Sequence, residues 1–588
     1  MRARLPLVLL PAGTAVLYLW HLGDSGWANA YYSAAAQAGA RSWSAWFYGA
    51  TDPAGAITVD KTPASVWVMG LSARLFGVDP WSILVPQALM GVGSVWLLFA
   101  TVRRVAGQAA GLIAGAVLAL TPVAVLMFRF NNPDALLVLL LIAGAYCTVR
   151  AVEKASWTWL ALAGAAIGFA FLAKMLQAFL VLPAFGLVYL VAAPTPLRRK
   201  VLHLAGALAA VVVAGGWWVL AVELVPGDAR PYIGGSQGDS VLEITLGYNG
   251  FGRLTGDEVG SVGGGRGWGS TGWSRLLGSE MGSQIAWLLP TAVVLLVAGL
   301  WAGGRRERIG LGLWGGWLVV TAGVFSSMSG IIHAYYTVAL APAIGAVVGI
   351  GSVVLWRRRA EPGAAAALSG ALAVTALQCS LLLAGWSTGL AVTVLVLGLT
   401  AAVGVFLSAV APAAVVVPVA VVAALAGPGA FSVATASTPH SGAIPSAGPE
   451  NGVRGGAVFP LGGGRGGGLL SAPAPGAAMV ALLRGDSGEY RWAAAAVGSN
   501  NAAGYQLGSG VPVMAVGGFN GTDPAPTLEE FRELVRDGQV HYFVGGAGMP
   551  AETGSDASAR IAEWVADTFV AVTVDGTATY DLTAAARR

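Results

Sequence analysis

Asp60 and Lys61 stand side by side in the stretch VDKTPASVW, just before a proline and the start of an apolar run. Other polar side chains fall at the ends of apolar runs in the same way. The segment RFNNPDALL supplies Arg129, Asn131, Asn132 and Asp134; FLAKMLQAF supplies Lys174; IIHAYY supplies His333, Tyr335 and Tyr336. Residues 21–81 add Asp24, Asn29 and Tyr32, and residues 223–283 add Arg230, Glu243, Tyr248, Asn249 and Arg253. A carboxylate can act as general base toward a hydroxyl. Lysine and arginine can hold a phosphate and stabilise its departure. Both kinds together at a membrane surface suit a lipid-phosphate donor whose leaving group is the phosphate. The chain carries no GxxxxGK[ST], so a nucleotide-sugar donor is not expected.

Composition sets the surroundings of these groups. The chain has 588 residues, 56% of them hydrophobic and 11% charged, against roughly 25% charged in an ordinary soluble domain. Mean hydropathy is +0.70. These values imply an integral membrane protein. The net charge of +4 is spread over small arginine clusters between apolar runs, a pattern of cytoplasmic loops rather than of a nucleic-acid surface. Both cysteines, Cys147 and Cys379, lie inside apolar runs and read as small hydrophobes, not as a disulfide or zinc pair.

A spanning helix needs roughly 20 mostly apolar residues. Thirteen runs qualify, at 5–20, 83–101, 109–128, 135–150, 158–175, 177–193, 201–222, 285–302, 309–327, 336–356, 364–386, 388–409 and 411–431. Basic residues recur at every second junction: Arg2 and Arg4, Arg103 and Arg104, Arg150 and Lys154, Arg198 to Lys200, Arg305 to Arg308, Arg357 to Arg359. The positive-inside rule places those junctions and the N-terminus in the cytoplasm, and an odd number of spans places the C-terminus outside. The junctions around the last three spans are almost uncharged and fix this least firmly. ANA at 28–30 resembles a signal-peptidase site, but an uncleaved first span is the expected reading. Two large pieces then lie outside, 21–81 and 223–283. The first contains YYSAAAQAGARSWSAWFYG, expected as an aromatic-rich helix in the membrane interface.

Residues 1–430 thus form a membrane domain, and 431–475, dense in Gly, Pro and Ser, read as a flexible linker. Residues 476–588 alternate candidate strands (YRWAAAAVGS, VPVMAVGGF, HYFVGG) with candidate helices (TLEEFRELVRDG, SDASARIAEWVADTF), and VAVTVDGTATYDL can close the sheet. This pattern implies a small, parallel, extracytoplasmic α/β domain. GSNNAAGYQLGSG follows the first strand, where such domains bind ligands. It reads as a polar glycan or partner surface or a plain turn, and only weakly as a nucleotide site.

The motifs VDKTPASVW, RFNNPDALLVLLL, FLAKMLQAF and HAYYTVALAPAIGA occur in the order and at the spans found in family 39 glycosyltransferases. The chain resembles that family, which includes protein O-mannosyltransferases and lipid A aminoarabinose transferases. The longer segment WANAYYSAAAQAGARSWSAWFYGATDPAGAITVDK resembles an actinobacterial and Bacillus-like subgroup with an extra C-terminal domain. The resemblance covers residues 1–430 and implies the GT-C membrane fold. It also implies inverting transfer of a sugar from a polyprenyl-phosphate donor to a hydroxyl of a glycan, lipid or protein, at the outer face of the plasma membrane. By resemblance, Asp60 and Asp134 are acidic residues of the outer loops, and Lys61 contacts the lipid phosphate. Lys174 belongs to an LxK segment, and His333 with Tyr336 forms a site wall. Where the family commonly carries an early acidic residue, this chain has Asn29. The base is therefore Asp24, Asp60 or Asp134. Lys61 and Lys174, with Arg129 or Arg230, hold the phosphate; Asn29, Tyr32, Asn132, His333, Tyr335 and Tyr336 contact substrate. No cofactor is required, and a divalent ion stays open.

Plainer readings exist for each group. Asp60 and Lys61 would form an exposed ion pair, Asp134 would cap a helix, and Lys174 would snorkel. His333 would be structural, the tyrosines would form an interfacial belt, and Glu243 and Arg253 would fold their own loop. The rival function is a transporter or lipid flippase with an outer binding domain, expected to show internal repeats and midplane charges. A third reading is a non-catalytic sensor or scaffold.

Overall fold

The computed structural model describes residues 5–260, 270–407, 412–449, 470, 472–545 and 553–584. Each expected apolar run falls on helix. Among the described residues ten helices are long and apolar enough to cross a membrane. Gln108–Ala119 and Leu289–Ala302 are shorter apolar helices, and the runs at 158–175 and 177–193 fall on Trp157–Lys174 and Leu182–Ala192, separated by a break at Met175 and the 3-10 turn Met175–Val181. Valine and leucine side chains such as Val16, Val191, Val213, Val297 and Leu381 stand exposed on the outside of the bundle, as a hydrocarbon solvent requires. Small residues let the helices approach. A Cβ at Gly164 would stand 2.2 Å from the carbonyl oxygen of Ala207, so only glycine admits the contact of Trp157–Lys174 with Leu197–Glu223. Leu5–Leu19 is joined to the bundle by Tyr18, whose hydroxyl donates to the Ala119 carbonyl and whose ring stacks on Phe128.

The two long loops are folded where described. Ala30–Arg41, Trp43–Tyr48 and Ala64–Phe76 are helices of the first loop. Ala30–Arg41 is helical as expected; Tyr31 to Gly39 are all buried, and Ala34 packs against Ala503 and Leu507 of the C-terminal domain. Alanines at these positions let the two helices come close.

The C-terminal domain holds five strands: β1 Trp492–Val497, β2 Val513–Val516, β3 Val540–Val544, β4 Ala571–Val574 and β5 Thr577–Asp581. Their order is β2-β1-β3-β5-β4. The first three are parallel, as alternation with helices dictates. The β4–β5 hairpin adds antiparallel, so the sheet is mixed rather than parallel; its two-residue turn Asp575–Gly576 leaves no length for a crossover. GSNNAAGYQLGSG is not a loop: Ser499–Ser509 is a buried helix. Within 431–475, expected as a linker, the helix Ala413–Ser437 runs on to Ser437. Beyond it, Gly442 N–H donates to the Ala28 carbonyl and Ala447 N–H to Gln284 Oε1. Most of the rest of that segment lies outside the described residues.

Candidate active site

Three pairs of opposite charges are buried at one end of the bundle. Lys174 Nζ is 2.7 Å from Asp134 Oδ1, Lys61 Nζ is 3.1 Å from Asp60 Oδ2, and Arg253 is 3.3 Å from Glu258. Local chain breaks put them there. Lys174 is the last residue of Trp157–Lys174, and Met175 follows at φ +49°, so the lysine stands at the mouth of a broken helix. Asp134 is the first residue of Asp134–Lys154. Its carboxylate makes no cap; one oxygen takes Lys174 and the other is buried without a hydrogen bond. Asp60 is held by its backbone: its N–H donates to the Tyr31 hydroxyl at 2.7 Å, and Asn249 Nδ2 donates to its carbonyl at 2.6 Å.

Lys61, Lys174 and Arg253 line one cavity of about 150 Å³, together with Asn249 and Tyr336. Apart from Gln177 the remaining wall is apolar, with Leu176, Leu180, Leu254, Val324 and Phe325. Three cations over a hydrocarbon wall suit an anionic head on an apolar tail. Lys174 Nζ also sits 4.0 Å from the centre of the Tyr336 ring, a cation–π contact. His333 stacks on Tyr335, and Tyr336 meets both rings edge-on, with ring centres 5.0–5.3 Å apart. Tyr32 is buried beside Asp60, Tyr31, Tyr336 and Asp134; burial first, and then these neighbours, push its phenol well above the usual value.

Behind this wall lies an amide cluster. Asn29 N–H donates to Asn131 Oδ1 at 2.8 Å, Asn29 Nδ2 to Asn132 Oδ1 at 2.9 Å, and Asn131 Nδ2 to Ser33 Oγ at 2.9 Å. It ties the first loop to the turn that carries Asp134. Among the described residues no group of three or more His, Cys, Asp or Glu is placed to hold a metal ion.

Residues 60–218 match the family described as dolichyl-phosphate-mannose-protein mannosyltransferase, and residues 479–568 match "Putative mannosyltransferase YkcB-like, C-terminal". YkcB of Bacillus subtilis (strain 168), itself named a "Putative mannosyltransferase", is 33% identical, across 95% of this chain and 90% of that one. This chain belongs to the YkcB-like branch of the family 39 glycosyltransferases. YycA of the same organism is 31% identical over 92% of this chain and 90% of its own. The fold is that of ArnT from Cupriavidus metallidurans: the apo structure and one bound to undecaprenyl phosphate superpose with TM-scores of 0.57 and 0.58 at 18% identity. They cover 99% and 98% of both chains. The protein is therefore a multi-pass GT-C membrane glycosyltransferase with a YkcB-like C-terminal domain.

Against that family pattern, several expected site residues fall elsewhere. Arg129 is buried, and its guanidinium donates to the carbonyls of Leu17, Tyr18 and Ala436, tying together the ends of two helices; unmet carbonyls there compete for it ahead of any phosphate. Arg230 is bound to Asp239 at 2.7 Å and to nearby carbonyls, closing its own loop. Asp24 pairs with His21 at the surface, both 56% exposed, and touches none of the site residues. Asn132 holds Asn29 rather than facing the cavity. The plainer readings fail for the other groups: Lys174 is buried instead of snorkelling, and in the Asp60–Lys61 pair Asp60 is buried and Lys61 half-buried rather than exposed. Arg253 lines the cavity instead of only folding its loop. Glu243 does fold its loop, accepting from the N–H groups of Gln237 and Gly238.

Proposed function

We propose that the protein transfers a sugar, with inversion, from a polyprenyl-phosphate donor to a hydroxyl of a cell-envelope glycan, lipid or secreted protein. The reaction takes place at the outer face of the plasma membrane. The observation that carries this reading is the cavity where Lys61, Lys174 and Arg253 meet an apolar wall, with Asp60 beside it. The phosphate of the donor lies against the three cations and its chain along Leu176, Leu180 and Phe325. Asp60 takes the proton of the acceptor hydroxyl, whose oxygen bonds to the anomeric carbon as the bond from that carbon to the phosphate oxygen breaks. The cations neutralise the polyprenyl phosphate that leaves. One displacement from the face opposite the phosphate inverts the anomeric centre. Asp134, fully buried on Lys174, positions that lysine and takes no part in proton transfer.

The binding of undecaprenyl phosphate by the similarly folded ArnT supports the donor class. The basic clusters support the orientation: Arg104, Arg305 and Arg306 gather with Glu153 around a separate pocket that shares no residue with the cation cavity. The test is a transfer assay in membranes with a panel of labelled polyprenyl-phosphate hexoses and pentoses. Wild type should label product from one donor, and Asp60→Asn and Lys61→Ala should each abolish it. Folded variants indistinguishable from wild type, or no transfer from any donor, would overturn the reading.

A further inference from the structure

The C-terminal domain reaches the site directly. The first loop runs along its sheet: Asp52 Oδ1 accepts from Trp492 Nε1 at the start of β1, and Ile57 packs by Gly518 just past the end of β2. Three residues on, Asp60 arrives at the carboxyl end of the parallel strands, the edge at which α/β domains bind ligands. There the loop after β2 covers it. Phe519 packs on Tyr31 with ring centres 5.0 Å apart, Asn520 Nδ2 donates to the Tyr248 hydroxyl at 3.3 Å, and Thr522 Oγ1 donates to the Gly260 carbonyl at 2.6 Å. Asp523 is 3% exposed, and its Oδ2 accepts from Gly235 N–H at 2.7 Å. Asp60 flanks the same glycine, whose Cβ, if present, would stand 3.2 Å from that of Asp60. Asp60, Tyr248, Phe519, Asn520 and Asp523 enclose a closed seam with no room for a water molecule.

We propose that Asp523 is a positioning residue of the transfer site, by which the C-terminal domain binds the acceptor hydroxyl beside Asp60. This rests on the transferase reading above. The lipid-facing cavity with its three cations lies on one side of Asp60, and the 517–523 loop lies on the other. An acceptor therefore enters from the side of the C-terminal domain, and the loop lifts to admit it. Gly517, Gly518 and Gly521, at φ +77°, +66° and +75°, supply backbone that only glycine adopts freely. Burial raises the Asp523 carboxyl to about 8, opposed by the Gly235 hydrogen bond and assisted by Asp60 and Glu243. At neutral pH it can both donate to and accept from a hydroxyl.

The test uses the full-length protein in lipid nanodiscs with the labelled polyprenyl-phosphate sugar that wild type turns over. Transfer, release of free sugar to water, and binding of undecaprenyl phosphate are measured for wild type, Asp523→Ala, Asp523→Asn and the remote control Arg560→Ala. Asp523→Ala should lower transfer about 10- to 100-fold, the range expected for losing a hydrogen bond in a buried site. Release to water and undecaprenyl phosphate binding should stay within about twofold, the control should match wild type, and Asp523→Asn, which still accepts from Gly235, should fall between. Transfer at the wild-type level in Asp523→Ala would overturn the proposal. So would a parallel fall in transfer, release and binding, which marks a structural role. A wild type that turns over no donor would overturn the transferase reading and this proposal with it.

Discussion

Ion pairs at the two ends of the bundle differ in kind. At the end that carries the cavity, Asp134–Lys174 has side chains 0% and 6% exposed, and Asp60–Lys61 6% and 13%. At the basic end, Arg104–Glu153 is 35% and 25% exposed and Arg358–Glu361 41% and 47%. Taking charges out of water costs several kcal/mol per ion, so a fold keeps buried pairs only where their charge is used. Exposed pairs cost little and contribute little.

The largest effect should follow from breaking the most buried pair. Asp134→Ala leaves Lys174 buried against the rings of Tyr335 and Tyr336 without its anion. A stability loss of about 3–5 kcal/mol is expected, together with loss of transfer, read by thermal unfolding in detergent and by the membrane assay. The double variant Asp134→Leu/Lys174→Met should regain most of the stability and none of the transfer. Recovery of both would make the pair a packing device and erase the contrast between the two ends.

Lys61→Ala comes next. Lys61 is partly exposed to the cavity and lies beside Asp60 on the surface of the site. Its loss should weaken undecaprenyl phosphate binding by about tenfold or more, as for one charge-assisted contact, and should cost less stability than Asp134→Ala, because its pair with Asp60 is the less deeply buried of the two. Arg253→Ala should also weaken binding but destabilise more, because Arg253 pairs with the buried Glu258 and donates to Asn249 and the Ile331 carbonyl.

How far this contrast was legible in the sequence depended on the range of the contacts. The apolar runs fixed the helix positions because hydrophobicity is carried by the run itself. The strands and the two later helices of the C-terminal domain followed from period and caps, whereas Ser499–Ser509 did not; Thr527 and Glu530 form the capping box that starts Leu528–Arg536. Lys61 and Lys174 were found because a charge inside an apolar run is conspicuous. Asp523 and Arg253 were missed as site residues for the opposite reason. Each sits in a polar loop, and the contact of Asp523 with Gly235 spans 288 residues, beyond any periodicity. The cluster GGFNGTD after the second strand was the available signal, since that is the ligand-binding edge of such sheets. Arg129 shows the reverse error: a charge at a span end that serves three carbonyls.

An effect of pH should come from Asp523, one of the two carboxylates that flank Gly235. Asp523 is raised from 3.8 to about 8 when the 517–523 loop is closed, by burial foremost; Asp60 and Glu243 are the charged neighbours and Tyr31 and Tyr248 the nearby phenols. Below pH 4 the group is protonated whether the loop is open or closed. Between there and about 8 the closed loop holds a proton that the open loop releases, so closure weakens as pH rises, by up to roughly tenfold per pH unit. Above about 8 the cost no longer grows. Hydrogen exchange of the 517–523 amides, corrected for its intrinsic pH dependence, should show protection falling across this window in wild type and flat in Asp523→Asn. A slope that persists in the variant would assign the effect to Asp52, whose carboxyl is also raised by burial.

The smallest effect is expected at the basic end. Arg358→Ala removes a half-exposed pair with Glu361 and one hydrogen bond to the Ala302 carbonyl. The change in stability should stay below about 1 kcal/mol and shrink further in salt, with transfer unchanged. The informative step is cumulative: replacing Arg357, Arg358 and Arg359 together removes three positive charges from one junction, and topology is set by such local counts. Retained folding and activity in the single variant, with misorientation in the triple variant read by accessibility of an engineered cysteine at that junction, would show that these charges act during insertion and not in the finished fold. A single variant as damaging as Asp134→Ala would mean that exposure is a poor guide to the use of charge in this protein, and the difference between its two ends would lose its meaning.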